Sequence, residues 1–204
     1  DKLYGHTGDD WLYGGTAGVA GATAAEIDLL DGGADFDRYS DGFDFKKPVF
    51  NGAAVTDIEQ NGSPTCQTLA ALATAVSQGM DIGKNFKFLG NNKYSVNLHG
   101  LGKQTIFFDG TWSDNDPMPV GGAPEFWTIL MQRGRLQGYG VNWNAEMTDA
   151  QWDAANQQSG GKLLNSGTAL YDVTGWTAAY TAIANASAQK LADARKRGDF
   201  LVAS

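Results

Sequence analysis

Apolar residues recur at helical spacing just after the middle of the first half of the chain. Leu69, Leu72, Ala73 and Val76 predict a helix over residues 66–78, stopped by Gly79. The period then changes. Tyr94, Val96 and Leu98 alternate, the apolar run from Thr105 to Phe108 follows, and glycine-rich turns separate them, which predicts a hairpin or small sheet with His99 at its tip. Helical spacing returns at Phe126, Trp127, Leu130 and Met131, giving an amphipathic helix over 124–136. A short helix is expected over 147–158, with Thr148 or Asp149 as cap and Trp152 as apolar anchor. The last helix runs from Thr177 to Lys196, with Tyr180, Ile183, Ala184 and Leu191 on one side and Gly198 as its stop, and Phe200 to Ala203 begin a strand. Residues 110–124 read as a long loop. The pattern predicts an α+β fold, mainly helical, over residues 45–204.

Residues 1–44 lack either period and are dominated by Gly and Asp. Two stretches, Leu3 to Thr16 and Asp28 to Tyr39, carry degenerate copies of a unit G-G-x-G-x-D-x-U-x, where U is a large apolar residue. Asp10 with Leu12, Asp28 with Leu30, and Asp37 with Tyr39 occupy the D and U slots, and the Ala/Gly-rich segment Thr16 to Ile27 interrupts them. The unit resembles the RTX, or haemolysin-type, calcium-binding nonapeptide. That resemblance implies a short parallel β-roll in which glycines make the turns, Asp10, Asp28 and Asp37 ligate Ca2+, and the U residues fill a thin core. Two or three such repeats are too few to be stable alone. It also implies a secreted protein, and a solvated Gly/Asp loop is the plain alternative.

Charge and composition narrow the remaining classes. The net charge of −8 argues against a nucleic-acid partner, because phosphate binding needs clustered Lys and Arg. The one basic cluster, Arg195 to Arg197, fits the last turn of a helix. No apolar run reaches membrane-spanning length. A single cysteine excludes an internal disulfide and a cysteine-based structural zinc site.

That cysteine, Cys66, follows the turn Gly62 to Thr65 and opens the first predicted helix. Backbone N–H groups lack helical partners there, and the dipole favours an anion, so a thiolate at this place is a candidate nucleophile. Gln60 lies six residues upstream, across the turn, where its amide can hydrogen-bond a developing oxyanion. The plain alternative is that a lone cysteine is a small buried hydrophobe.

Gln60, the Gly-containing turn, Cys66 and the Leu/Ala-rich helix together resemble the active-site segment of the calpain-like cysteine proteases. Two further stretches carry the same resemblance: Glu125-Phe126-Trp127 with its apolar helix up to Gly138-Tyr139, and Ala169-Leu170-Tyr171-Asp172-Val173-Thr174-Gly175. Where the family usually has Gly after the Gln, and Asp before and Trp after the Cys, this chain has Asn61, Thr65 and Gln67. The resemblance implies the Cys-bearing lobe of a papain-like fold, with Cys66 as nucleophile and Gln60 in the oxyanion hole of an endopeptidase. It implies that the catalytic His and Asn, and the second lobe that holds them, follow Ser204 in the same polypeptide, so that residues 1–204 alone are inactive. By the same resemblance Asp57, nine residues before Cys66, joins the carbonyls of Phe50 and Gly52 in a calcium site, with a turn or cap role as the alternative. His99 is expected as a surface turn residue rather than as the base. A non-catalytic interaction module of the same fold, or acyl transfer by the same thiol, are the competing readings.

Overall fold

The computed structural model describes residues 46–49, 52–110, 113, 115–119, 125–143 and 147–178, together with short strand segments before residue 45 and the helical residues 189 and 193. Within this set the chain is mixed helix and sheet, as its periodicity predicts.

Five two- or three-residue strands lie before residue 45: β1 (Lys2–Tyr4), β2 (Trp11–Leu12), β3 (Leu29–Asp31), β4 (Arg38–Tyr39) and β5 (Phe43–Asp44). β1, β3 and β5 form one parallel sheet and β2 and β4 another, so successive strands alternate between two sheets. Leu12, Leu30 and Tyr39 fall within β2, β3 and β4. Asp10, Asp28 and Asp37 each directly precede one of these strands in sequence but lie outside the described residues.

The main body begins with a 3-10 turn at Val55–Asp57 and strand β6 (Ile58–Glu59). Helix α1 (Cys66–Ser77) follows, at the place that the apolar spacing predicts. Its buried face carries Leu69, Leu72 and Ala75, and it packs most extensively against α4 (Ser166–Thr174). Next comes an antiparallel meander of β7 (Phe86–Gly90), β8 (Lys93–Leu98) and β9 (Gly102–Phe107). Asn91 and Asn92, at φ 50° and 56°, make the β7–β8 turn, where two positive φ values in succession give the twist that a tight hairpin needs. Tyr94, Val96 and Leu98 of β8 point into the core and are essentially inaccessible.

Helix α2 (Trp127–Gly138) lies against that sheet after the two-residue strand β10 (Met118–Pro119), which pairs with β6. Gly134 permits the approach, since a Cβ there would sit 3.2 Å from Val96 Cγ1. The sequence predicts an amphipathic helix here. Instead every residue from Trp127 to Leu136 is buried, including Gln132, Arg133 and Arg135. The reason is that each of those polar side chains has partners inside: Arg133 forms a bidentate pair with Asp116 (Nε–Oδ1 2.8 Å, Nη2–Oδ2 2.7 Å), and Arg135 pairs with Asp172.

Helix α3 (Asp149–Gln158) is closed at its start by a capping box between Thr148 and Gln151, and Trp152 anchors it in a second small core with Leu136, Val141 and Leu163. Helix α4 was not foreseen from periodicity. Asn165 caps it through Thr168 N–H at 2.9 Å, and Gly175, in the left-handed region at φ 79°, ends it. Of the helix expected over 177–196, most residues lie outside those described.

Candidate active site

Cys66 is the first residue of α1, and it is exposed rather than packed in the core. Thr65 stands at the N-cap position, with φ −103° and ψ 21°, but among the described residues no side chain caps the helix. The Thr65 hydroxyl is turned the other way. It donates to Oε1 of Gln132 on α2 at 2.6 Å. Ser63 Oγ lies 2.8 Å from Thr65 Oγ1, and Gln132 Nε2 reaches Ser63 Oγ at 3.5 Å and donates to the Asn115 carbonyl. Thr65 has one hydroxyl proton and gives it to Gln132, so Ser63 is the donor to Thr65. The three side chains thus close a ring of hydrogen bonds in one direction, with all three residues buried.

Gln60 sits on the same turn. Its Nε2 donates to the Ser63 carbonyl at 2.9 Å, and an amide nitrogen carries a second hydrogen that this bond leaves over. The structure therefore brings Gln60 and Cys66 to the two ends of one short turn whose middle residue, Ser63, binds both Gln60 and Gln132. Asn61 reaches the Ser113 carbonyl at 3.5 Å, and the 113–116 loop is itself held by Asp116, whose carboxylate accepts from the Ser113 backbone N–H at 3.0 Å and pairs with Arg133.

Arg135 supports the first turn of α1 from below. Its Nη1 donates to Thr68 Oγ1 at 3.0 Å and to the Leu163 carbonyl at 2.7 Å, its Nη2 to the Lys162 carbonyl, and its Nε to Asp172 Oδ2 at 3.0 Å. Tyr139 Oη donates to the same Asp172 oxygen at 2.8 Å. Burial pushes the Arg135 guanidinium below its ordinary range, and the Asp172 carboxylate opposes that shift. Burial, then the hydrogen bond to Asp172, push the Tyr139 phenol up to about 12. A phenol raised in the folded state ionises later than in the unfolded chain, so its contribution to stability is complete below pH ~10 and is lost as pH rises from there to ~12. Alkaline titration followed at 295 nm should show Tyr139 among the last of the seven tyrosines to ionise, and Tyr139→Phe should remove that late step.

The other expected site residues are placed as follows. The Asp57 carboxylate accepts from the Ala54 backbone N–H at 2.6 Å, closing the 3-10 turn, and from the Trp127 indole N–H at 3.3 Å, which it shares with Glu125 Oε2 at 3.1 Å. It thus closes the turn at Val55–Asp57 from within. Among the described residues no group of three or more His, Cys, Asp or Glu side chains is arranged to hold a metal ion. His99 is exposed on the β8–β9 turn and meets Tyr171 edge-on, with ring centroids 5.1 Å apart, at the C-terminal end of α4. Among the described residues it thus lies against the end of α4 and its Gly175 cap. Sequence reasoning missed Gln132, Arg135 and Asp172, because an isolated polar residue in a helix gives no sign of which way it faces, and Ser63, because nothing local shows that its turn is held from α2.

Set beside known proteins, the chain matches no protein-family model, no curated protein and no solved structure. No helix among the described residues is long and apolar enough to cross a membrane.

Proposed function

We propose that the chain is the Cys-bearing lobe of a calpain-like cysteine endopeptidase, preceded by RTX-like calcium-binding repeats in a secreted protein. The observation that carries this reading is the exposed thiol at the first position of α1, on a turn that also presents the Gln60 amide. In the proposed reaction the Cys66 thiolate attacks the scissile carbonyl carbon. The C=O pair moves onto oxygen, where the Cys66 backbone N–H and Gln60 Nε2 hydrogen-bond it. The C–N bond then breaks as a histidinium protonates the leaving amine, and water hydrolyses the thioester. The histidine and the Asn that orients it come, in this proposal, from a second lobe following Ser204, and the substrate is a polypeptide lying extended between the lobes. Reading some sixty residues past Ser204 in the parent polypeptide tests the requirement. A Gly-His-Ala-like strand with an Asn on a later strand is the expected finding, and a second lobe with no histidine rules the mechanism out.

The alternation of short parallel strands between two sheets supports the β-roll part of the proposal, with Asp10, Asp28 and Asp37 as calcium ligands. Calcium is expected to protect residues 1–44 from proteolysis and to change the circular dichroism, and chelation is expected to reverse both. Insensitivity to calcium and chelator would leave the segment as a Gly/Asp loop.

A non-catalytic interaction module is the second reading. It is favoured by the way Thr65, directly before the cysteine, is committed to a buried structural ring, and by Gln67 directly after it, whose Oε1 is buried with no hydrogen-bond partner among the described residues.

A further inference from the structure

A threonine at the start of a helix ordinarily turns its hydroxyl back to accept from the second or third backbone N–H of the first turn. Thr65 occupies that position and does not do so. The Thr68 N–H is instead satisfied by the Thr65 carbonyl at 2.9 Å, within the helical turn. The hydroxyl is held away by Gln132, a residue 1 % exposed on another helix. The amide of Gln132 has no other evident task. Its oxygen takes Thr65, and its nitrogen takes Ser63 and the Asn115 carbonyl. Through Ser63 it also fixes the carbonyl that receives Gln60.

We propose that Gln132 is a positioning residue for the Cys66 site: it withdraws the Thr65 hydroxyl from the helix and so leaves the Gln67 backbone N–H, the second of the first turn, to the Cys66 sulfur. The inference rests on the reading of Cys66 as the nucleophile. Gln132 touches neither reacting atom. It acts through Thr65 and Ser63, and the geometry has a clear competitor: without Gln132 the Thr65 hydroxyl is released to cap the helix, as threonines do, and to occupy the Gln67 N–H.

The competition makes a specific pattern of rates. Cys66 is the sole cysteine, so iodoacetamide reports on one thiol in the full 204-residue chain. At pH 7 Gln132→Leu is expected to slow alkylation of the native protein about fivefold, the rate equivalent of one helix cap. Thr65→Val, which has no hydroxyl to release, is expected to stay within about twofold of the parent chain. The double variant, Thr65→Val with Gln132→Leu, is expected to recover the parent rate, which a general loosening of the turn would not allow. All variants should react alike in guanidinium, and circular dichroism should confirm that α1 is intact in each. If Gln132→Leu does not fold, Gln132→Met makes the same comparison with a side chain of similar length. An unchanged rate in the Gln132 variant, a double variant as slow as the single, or a fivefold loss in Thr65→Val alone would each overturn the proposal. No peptide substrate enters the assay, so this pattern is read separately from whether the parent protein hydrolyses peptides.

Discussion

Asp172→Ala is expected to destabilise the protein by about 3–5 kcal/mol, because it leaves the Arg135 guanidinium buried without its counter-charge. The two side chains are 1 % and 3 % exposed and meet at 3.0 Å, so solvent does not take over the lost interaction. The loss also strands the Tyr139 hydroxyl, whose partner is the same oxygen. The effect should spread beyond the pair. Arg135 joins α1 through Thr68, α2 through its own backbone, and the 162–163 segment through two carbonyls, while Asp172 belongs to α4. Urea unfolding should show the midpoint falling with the slope unchanged, and the melting temperature should drop by on the order of 10 °C for a chain of this size. Asp172→Asn keeps an oxygen acceptor and removes the charge, so it is expected to fall between the two. A loss under 1 kcal/mol in Asp172→Ala would mean that Arg135 finds another anion or reaches water.

Gln60→Ala is expected to act on rate and not on folding. The residue is exposed, and its side chain donates to the Ser63 carbonyl within the turn. Removing a single oxyanion donor costs on the order of 10²–10³ in kcat. In a polypeptide that includes the proposed second lobe, peptide turnover by Gln60→Ala should therefore fall by about that factor in kcat with KM little changed. Gln60→Glu has the same length but offers a carboxylate to the oxyanion in place of N–H donors, and it is expected to be at least as slow. Full activity in both variants would make Gln60 a turn residue only.

The elements that were legible in the sequence are those with local signals. The helix from Cys66 carries its period in its own residues, the meander alternates and is punctuated by Gly90-Asn91-Asn92, and α3 has a capping box within four residues. Helix α4 has comparable signals in Asn165 and Gly175, but it is only nine residues long, too short for its apolar spacing to stand out. The pairing of β6 with β10 joins two dipeptides about sixty residues apart, for which no local pattern exists. The α2 expectation failed for a geometric reason. Successive helical residues turn by about 100°, so Gln132, Arg133 and Arg135 point in three different directions, and no single face remains for solvent. Only the positions of Ser63, Asn115, Asp116 and Asp172 in space show that those directions are all occupied. At the candidate site the sequence indicated Cys66 and Gln60, since both flank one turn. It gave no indication of the ring that holds the turn, because Gln132 lies 66 residues from Cys66.

Peptide hydrolysis by the polypeptide extended past Ser204, measured with and without Cys66→Ala, tests the central claim most directly. The account predicts turnover that disappears in Cys66→Ala while the fold is retained, and no turnover by residues 1–204 alone. Turnover that survives Cys66→Ala, or hydrolysis by the 204-residue chain lost in that variant, would contradict it: the first would remove Cys66 as the nucleophile, and the second would show that no second lobe is needed.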